Sequence, residues 1–328
     1  YFSTLKKQAN SRAKEATLSV LGINNPNLRK HLSENIDSDE QFVHGPVFEQ
    51  MFGWESYFEK NMADLACDGL LSSKVVEALD SKNNGRYAFK KEWSPFRHQH
   101  KAWNDLLSSK PQSRIITSGT GSGKTECFMV PVLEDLYRET LEQNSHLTGV
   151  RALFLYPLNA LINSQKERLN AWTQHFGGDI RFCLFNGKTP EKLTSKEQQI
   201  QKSKPQEVMS RKGLREDPSP ILVTNGTMLE YMLVRQSDAA IIEKSKGKLR
   251  WIVLDEAHTY VGSQAAELAL QLRRVMQAFD VKPEDIRFVA TSATIAGDEA
   301  ENSLKKYLAE LANISIEQVD VIGGKRAV

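Results

Sequence analysis

Residues 117–126 read TSGTGSGKTE. A phosphate-binding loop of the strict form G-x-x-x-x-G-K-[ST] would place glycine at position 118, where this chain has Ser118. The flanks decide the reading. RIIT (114–117) is a short apolar run before the loop, and CFMVPVLEDLY (127–137) is a helically patterned stretch after it. Strand, glycine-rich loop, helix is the setting in which such a loop holds phosphate. Gly119, Gly121 and Gly123 let the backbone turn its N–H groups towards phosphate oxygens, with Thr120 and Ser122 between them. The helix N-terminus adds its dipole. Lys124 is placed to reach the β- and γ-phosphates of ATP, and Thr125 to ligate Mg²⁺.

Working outward, the chain from about residue 96 repeats one pattern. Short apolar runs occur at RIITS (114–118), ALFLYP (152–157), IRFCLF (180–185), ILVTN (221–225), WIVLDE (251–256) and IRFVATSA (286–293). Most are unbroken rather than alternating, as expected of strands covered on both faces. Longer segments with helical patterning, such as 158–176 and 265–279, lie between them. The alternation predicts an α/β fold: a parallel sheet with helices on both faces. Ligands of such sheets bind at the carboxyl ends of the strands, where the polar residues of these runs are gathered.

A phosphate loop needs a carboxylate at the end of a nearby strand, and WIVLDEAH (251–258) supplies one. Asp255 would hold Mg²⁺ directly or through water, and Glu256 would take a proton from the attacking water. His258, two residues on, reads best as part of a hydrogen-bond network around the same loop.

These residues bear a resemblance. SGTGSGKT, LDEAH and SAT resemble motifs I, II and III of superfamily 2 helicases, the DEAD/DEAH-box group, in the order of a single RecA-like motor lobe. Phe96-Arg97-His98-Gln99 looks like the Q motif, which implies that Gln99 reads adenine. LYPLNALINSQ (155–165) is similar to motif Ia and LVTNGTMLEYML (222–233) to motif Ib. By that likeness Pro157, Asn159, Thr224 and Asn225 would touch a sugar-phosphate backbone, while Ser292 and Thr294 of motif III would couple the nucleotide to the track. The DEAH ending and YPLNAL resemble the Lhr/MrfA-like branch, which implies an ATP-driven DNA translocase, DNA being favoured over RNA, of a bacterial repair or phage-defence protein. Nothing after Ser-Ala-Thr resembles motifs IV to VI. The second lobe, which carries the arginine finger in this family, is expected to lie outside this chain, leaving the fragment alone inactive or very weak.

The resemblance covers residues 96–328. Residues 1–95 are expected to form a helical accessory region, with Asn25-Pro26 opening one helix and Ser72 or Ser73 capping another. Phe42, Phe48, Phe52, Trp54, Tyr57 and Phe58 read as the core of that region. Residues 1–30 carry six basic residues against Glu15, and residues 31–80 carry eleven acids against Lys60 and Lys74. A polyanion would avoid the second stretch, and the first reads as a solvated helix face. Residues 187–219, rich in Lys, Gln, Ser and Glu, read as a long surface insertion. Three scattered cysteines (Cys67, Cys127, Cys183) exclude a disulfide scaffold and fit a reducing cytoplasm. No run of about 18 apolar residues is present, so no membrane span is expected. Two other readings stay open at this stage: a P-loop ATPase or kinase of different specificity, and a nucleotide-gated binding or scaffold module.

Overall fold

A computed structural model describes residues 2–35, 52–119, 121–292 and 298–327. By contact the chain divides into two units, Tyr1–Phe52 and Gly53–Val328. The first holds α1 (Phe2–Val20) and α2 (Pro26–Asn35). Asn25 opens α2 as its sequence suggests: Oδ1 accepts from Asn27 N at 3.0 Å and Leu28 N at 3.3 Å.

The second unit opens with α3 (Met62–Cys67), α4 (Ser73–Asp80) and α5 (Arg97–Leu106). Strands and helices then alternate. In chain order they are β1 (Ser113–Thr117), α6 (Lys124–Gln143), β2 (Ala152–Leu155), α7 (Asn159–Thr173), β3 (Phe182–Phe185), α8 (Ser195–Ser203), α9 (Arg211–Glu216) and β4 (Ile221–Thr224). There follow α10 (Gly226–Val234), α11 (Ala239–Glu243), β5 (Trp251–Leu254), α12 (Ser263–Ala278), β6 (Arg287–Ser292), α13 (Asp298–Ala312) and β7 (Val319–Gly323). The described strands form one seven-stranded sheet in the order β3-β4-β2-β5-β6-β1-β7, with every pairing parallel. The six apolar runs are β1 to β6. β7 was not anticipated, because VDVIG is short and interrupted by Asp320.

Neighbouring strand residues face opposite ways, so the sheet feeds two cores. Ile116, Phe154 and Val253 join Phe128 of α6 and Trp172 of α7 on one face. Ile115, Leu153, Ile252 and Phe288 join Leu229 of α10, Leu272 of α12 and Leu308 of α13 on the other. The first core also takes in Met62, Leu65, Leu71, Val75 and Leu79. Residues 53–95 therefore pack as part of the α/β unit, although the sequence placed a boundary after residue 95. Ser72 shows how they are fastened. It stands at the N-cap of α4, but its hydroxyl gives no cap bond. Its N–H and Oγ both donate to the fully buried Glu134 of α6 at 2.7 Å, and Arg138 Nε reaches the same carboxylate at 2.6 Å.

The aromatic cluster does not make a separate helical core. Phe42 and Phe48 lie outside the described residues. Phe58 is 82% exposed, Phe52 is exposed, Tyr57 stacks on His100 of α5 with centroids 3.8 Å apart, and Trp54 is buried beside the phosphate loop. The insertion at 187–219 is largely ordered into α8 and α9, with Thr194 and Glu197 forming a capping box.

Candidate nucleotide-binding site

The loop after β1 runs straight into α6, and Gly123 stands at the N-cap with φ +73°. A Cβ there would lie 2.2 Å from Gln99 Nε2 as well as needing a left-handed backbone, so only glycine fits. Lys124 Nζ turns back and donates to Ser118 O at 2.6 Å. Its ammonium is thus held over the loop, where a phosphate would replace the carbonyl as its partner. Ser118 and Ser122 are both buried and their hydroxyls lie 2.5 Å apart. Thr120 falls outside the described residues.

α5 braces this loop from behind. Gln99 Oε1 accepts from Phe96 N at 2.9 Å and Gln99 Nε2 donates to Gly123 O at 3.3 Å. His98 Nε2 lies 2.7 Å from Ser122 O, and Trp103 Nε1 donates to Glu126 O at 3.0 Å. The motif-like Q segment therefore grips the phosphate loop through two carbonyls. Burial pushes the His98 imidazole below its ordinary value, and the bond to Ser122 O offsets this only in part.

Asp255 and Glu256 emerge from β5, beside β6 in the sheet. Glu256 has φ +51°, a left-handed conformation that a non-glycine residue adopts at a cost of about 1 kcal/mol. Thr291 of β6 holds the turn: its hydroxyl donates to Asp255 Oδ1 and accepts from Glu256 N at 3.0 Å. Burial raises the Asp255 carboxyl above the usual aspartate range, the Thr291 bond opposes this, and the Glu256 carboxylate beside it adds to the rise. His258 Nδ1 lies 3.4 Å from Glu256 Oε2 and is exposed to solvent, which suits a network role. Tyr307 of α13 pins the following turn, its hydroxyl 3.0 Å from Tyr260 O and 3.2 Å from Ala257 O. Sequence reading missed Thr291 and Tyr307. Thr291 stands one place before the Ser-Ala-Thr signature, whereas nothing near Tyr307 marks it.

Of the motif III pair, Ser292 is buried and its Oγ has no hydrogen-bond partner among the described residues, while Thr294 lies outside them. The motif Ia and Ib candidates meet at the ends of β2 and β4. Asn225 caps α10 by accepting from Met228 N at 2.8 Å and donates to Asn159 Oδ1 at 2.7 Å. Pro157 is half-buried and Asn159 exposed on the same edge. Thr224 departs from expectation. It is fully buried and its hydroxyl donates to Phe185 O at 2.7 Å, so the side chain ties β4 to β3 instead of facing a ligand. Asn186, at the end of β3, builds its own turn, Oδ1 accepting from Lys188 N at 2.8 Å.

Gln99, Gly119, Gly121, Ser122, Gly123, Lys124, Thr125 and Glu256 open onto one cavity of about 660 Å³, whose other walls include Tyr87, Phe89, Trp93 and Phe96. Its size and mixed polar–aromatic lining suit a nucleotide. The donor set fits ATP: a cationic amine, a helix N-terminus and left-handed glycines at one end, planar side chains at the other. Thr125 and Asp255 carry the kind of oxygen by which Mg²⁺ is commonly held together with substrate phosphates.

Residues 96–303 match the DEAD/DEAH box helicase family. The chain belongs to that family. Among similar proteins, the Druantia protein DruE of Escherichia coli is 27% identical over 78% of this chain and 18% of its own length. The uncharacterized ATP-dependent helicase YprA of Bacillus subtilis is 30% identical over 61% of this chain and 23% of its own. The chain spans about a fifth of the length of these relatives. The structure of the DUF1998 helicase MrfA bound to DNA superposes with a TM-score of 0.53 at 23% identity, covering 77% of this chain and 30% of that one. The DEAD-box helicase Mss116 bound to single-stranded RNA gives 0.57 at 16% identity, covering 86% and 47%. These likenesses establish a RecA-like fold.

Proposed function

We propose that this chain is the ATP-binding first lobe of an ATP-dependent helicase or translocase acting on nucleic acid, DNA in preference to RNA, in a bacterial DNA-repair or phage-defence system. The observation that carries it is the convergence of Lys124, Thr125, Gln99 and Glu256 on one nucleotide-sized cavity at the carboxyl edge of a parallel sheet.

The chain's residues divide the work. Lys124 exchanges the Ser118 carbonyl for phosphate oxygen. Thr125 Oγ1 and the Asp255 carboxylate would hold Mg²⁺. Glu256 Oε takes the proton from the attacking water, with His258 beside it. Bound ATP supplies the phosphoryl group that this water receives. Thr291 ties the acid pair to β6, so a change at the phosphates is felt at Ser292, the next residue of the strand, and Ser292 and Thr294 are the residues proposed to couple it to the track. Pro157, Asn159 and Asn225 form the rim proposed for the nucleic-acid backbone, through small polar groups that position without reading bases. The arginine finger is assigned to a second RecA-like lobe of the same protein, so this lobe alone turns over ATP barely, if at all. MrfA with DNA and the branch likeness favour DNA. Scattered free cysteines favour a cytoplasmic setting. Among the described residues no helix is long and apolar enough to cross a membrane.

The test is ATPase and strand-displacement activity of the full-length protein with DNA and with RNA. Lys124→Ala is expected to lower ATP turnover by about 10²–10³-fold and to abolish strand displacement. ATP hydrolysis indifferent to both nucleic acids would favour the scaffold or kinase-like readings, and a Lys124→Ala protein that still separates strands would exclude the motor.

A further inference from the structure

Arg326 belongs to none of the motifs above and stands just past the end of β7. Its backbone is fastened on two sides. Gly324 N donates to Thr117 O at 3.0 Å, which ties this segment to the last residue of β1, the strand from which the phosphate loop departs. On the other side Arg326 pairs antiparallel with Trp54, while Glu55 N donates to Lys325 O at 2.9 Å and Ala327 N to Gly53 O at 2.8 Å. A Cβ added at Gly324 would stand 2.9 Å from both Ser118 Cβ and Trp54 Cζ3, so a glycine is needed there for the indole to lie against the loop.

The side chain is seated as firmly. The Arg326 guanidinium lies 3.7 Å from the centroid of the Trp54 ring, on its face, and Trp54 itself is buried. Arginine N–H groups point outward in the guanidinium plane, so a face contact uses none of them. Both groups reach the phosphate loop. Indole Cη2 and Cζ2 lie 3.4 Å, and Arg326 Nη2 3.7 Å, from where a Cβ on Gly119 would stand. Gly119 lines the nucleotide cavity. A cation is therefore held at the strand end of the loop, as Lys124 is at the helix end.

We propose that Arg326, seated on Trp54, is a further ligand of the nucleotide's phosphates. The proposal rests on the reading of this cavity as the ATP site and adds to it a residue from the segment after β7. A chain of phosphates laid along the loop presents oxygens to both of its ends. At the helix end they meet Lys124 and the N-terminus of α6; at the strand end they meet Arg326. A guanidinium suits this place better than an ammonium, because its plane stacks on the indole while its fork gives paired N–H···O bonds to one phosphate. Trp54 is then a positioning residue: it touches no phosphate and holds the fork where the phosphates come.

The test is equilibrium binding of ATP and AMP to the full-length protein and its Arg326→Gln, Arg326→Lys and Trp54→Leu variants. The two nucleotides share base, sugar and first phosphate, so the ratio of their affinities reads the contacts to the outer phosphates. Arg326→Gln should weaken ATP about tenfold or more and AMP by no more than about twofold. Arg326→Lys keeps the charge without the planar fork and should fall between. Trp54→Leu should compress the ratio in the same direction, and adding it to Arg326→Gln should compress it no further, because the two side chains act as one unit. A wild-type ratio in the glutamine variant, or in the lysine variant where the glutamine one does not fold, overturns the proposal and leaves the nucleotide site standing. So does an equal loss of ATP and AMP, which is what a mere buttress of the loop would give. Failure of wild type to bind ATP overturns the nucleotide reading, and the proposal with it.

Discussion

Ser118, the residue that breaks the strict loop pattern, is explained by its surroundings. Its hydroxyl bonds Ser122, and its Cβ lies only 2.9 Å from where a Cβ added at Gly324 would stand. A small side chain with a hydroxyl therefore closes the strand and stiffens the loop. The loop's other support, His98, gives a pH prediction. Its pKa is lowered by burial, so the folded protein keeps the ring neutral at pH values where the unfolded chain has begun to protonate it. The unfolded state then binds more protons, and stability falls as pH drops below the ordinary value of 6.5 towards the lowered folded value. Neutral His98 can donate from Nε2 to Ser122 O, and Gln in its place can donate without titrating. Chemical denaturation of wild type and His98→Gln between about pH 7.5 and 5 should show a steeper loss of stability for wild type. Parallel curves would remove His98 as the cause.

At the scale of elements, legibility followed the type of signal. Six strands could be read because both faces are buried and their residues are unbroken apolar runs. β7 alternates around Asp320, whose carboxylate pairs with Lys305 at 2.7 Å, and so looked like loop. Phosphate loop and acid pair were legible because backbone geometry restricts their residues to glycines and a strand-end carboxylate. Thr224 was misjudged because adjacency to a motif says nothing about which way a side chain faces, and in a strand that alternates at every step. Asn225 begins a helix, so its side chain stays at the strand end beside Asn159. Its two roles can be separated. Asn225→Ala should cost about 1 kcal/mol of stability through the lost cap and also weaken nucleic-acid binding. Asn225→Asp keeps a capping oxygen and favours the helix dipole, yet sets a negative charge against phosphate. Thermal melts should place the aspartate variant level with wild type, while binding of a single-stranded oligonucleotide falls several-fold. Unchanged binding by Asn225→Asp would remove this helix end from the proposed track.

For the whole molecule, the lesson is where the α/β unit begins. Sequence motifs start at Phe96, and residues before it carry no signature, so a boundary there looked natural. Packing follows apolar area instead. Met62, Leu65, Leu71, Val75 and Leu79 are all at most 1% exposed within the core shared with Phe128 and Trp103. Burial of side chains of this size is worth about 1.5–3 kcal/mol each, so together they approach the whole stability of a typical domain. A second tie runs through the segment at Trp54. It pairs antiparallel with Arg326, whose guanidinium lies 3.7 Å from the indole centroid, and Glu55 N, Ala327 N and Arg97 N close the joint with bonds to Lys325 O, Gly53 O and Glu55 O. The indole lies 3.4 Å from where a Cβ of Gly119 would stand, so this clasp also walls the phosphate loop. None of this was readable from sequence, because residues 54 and 326 are brought together only by the finished fold. Two truncations test it. A chain beginning at Gly53 should stay soluble and melt cooperatively within a few degrees of the full 328-residue chain. A chain beginning at Phe96 should aggregate, or bind a hydrophobic dye and lose its sharp transition, since it bares one side of α6 and leaves Glu134 buried without Ser72. A Phe96 truncation that melts like the parent would restore the boundary at residue 95 and make residues 53–95 an accessory to a lobe stable without them.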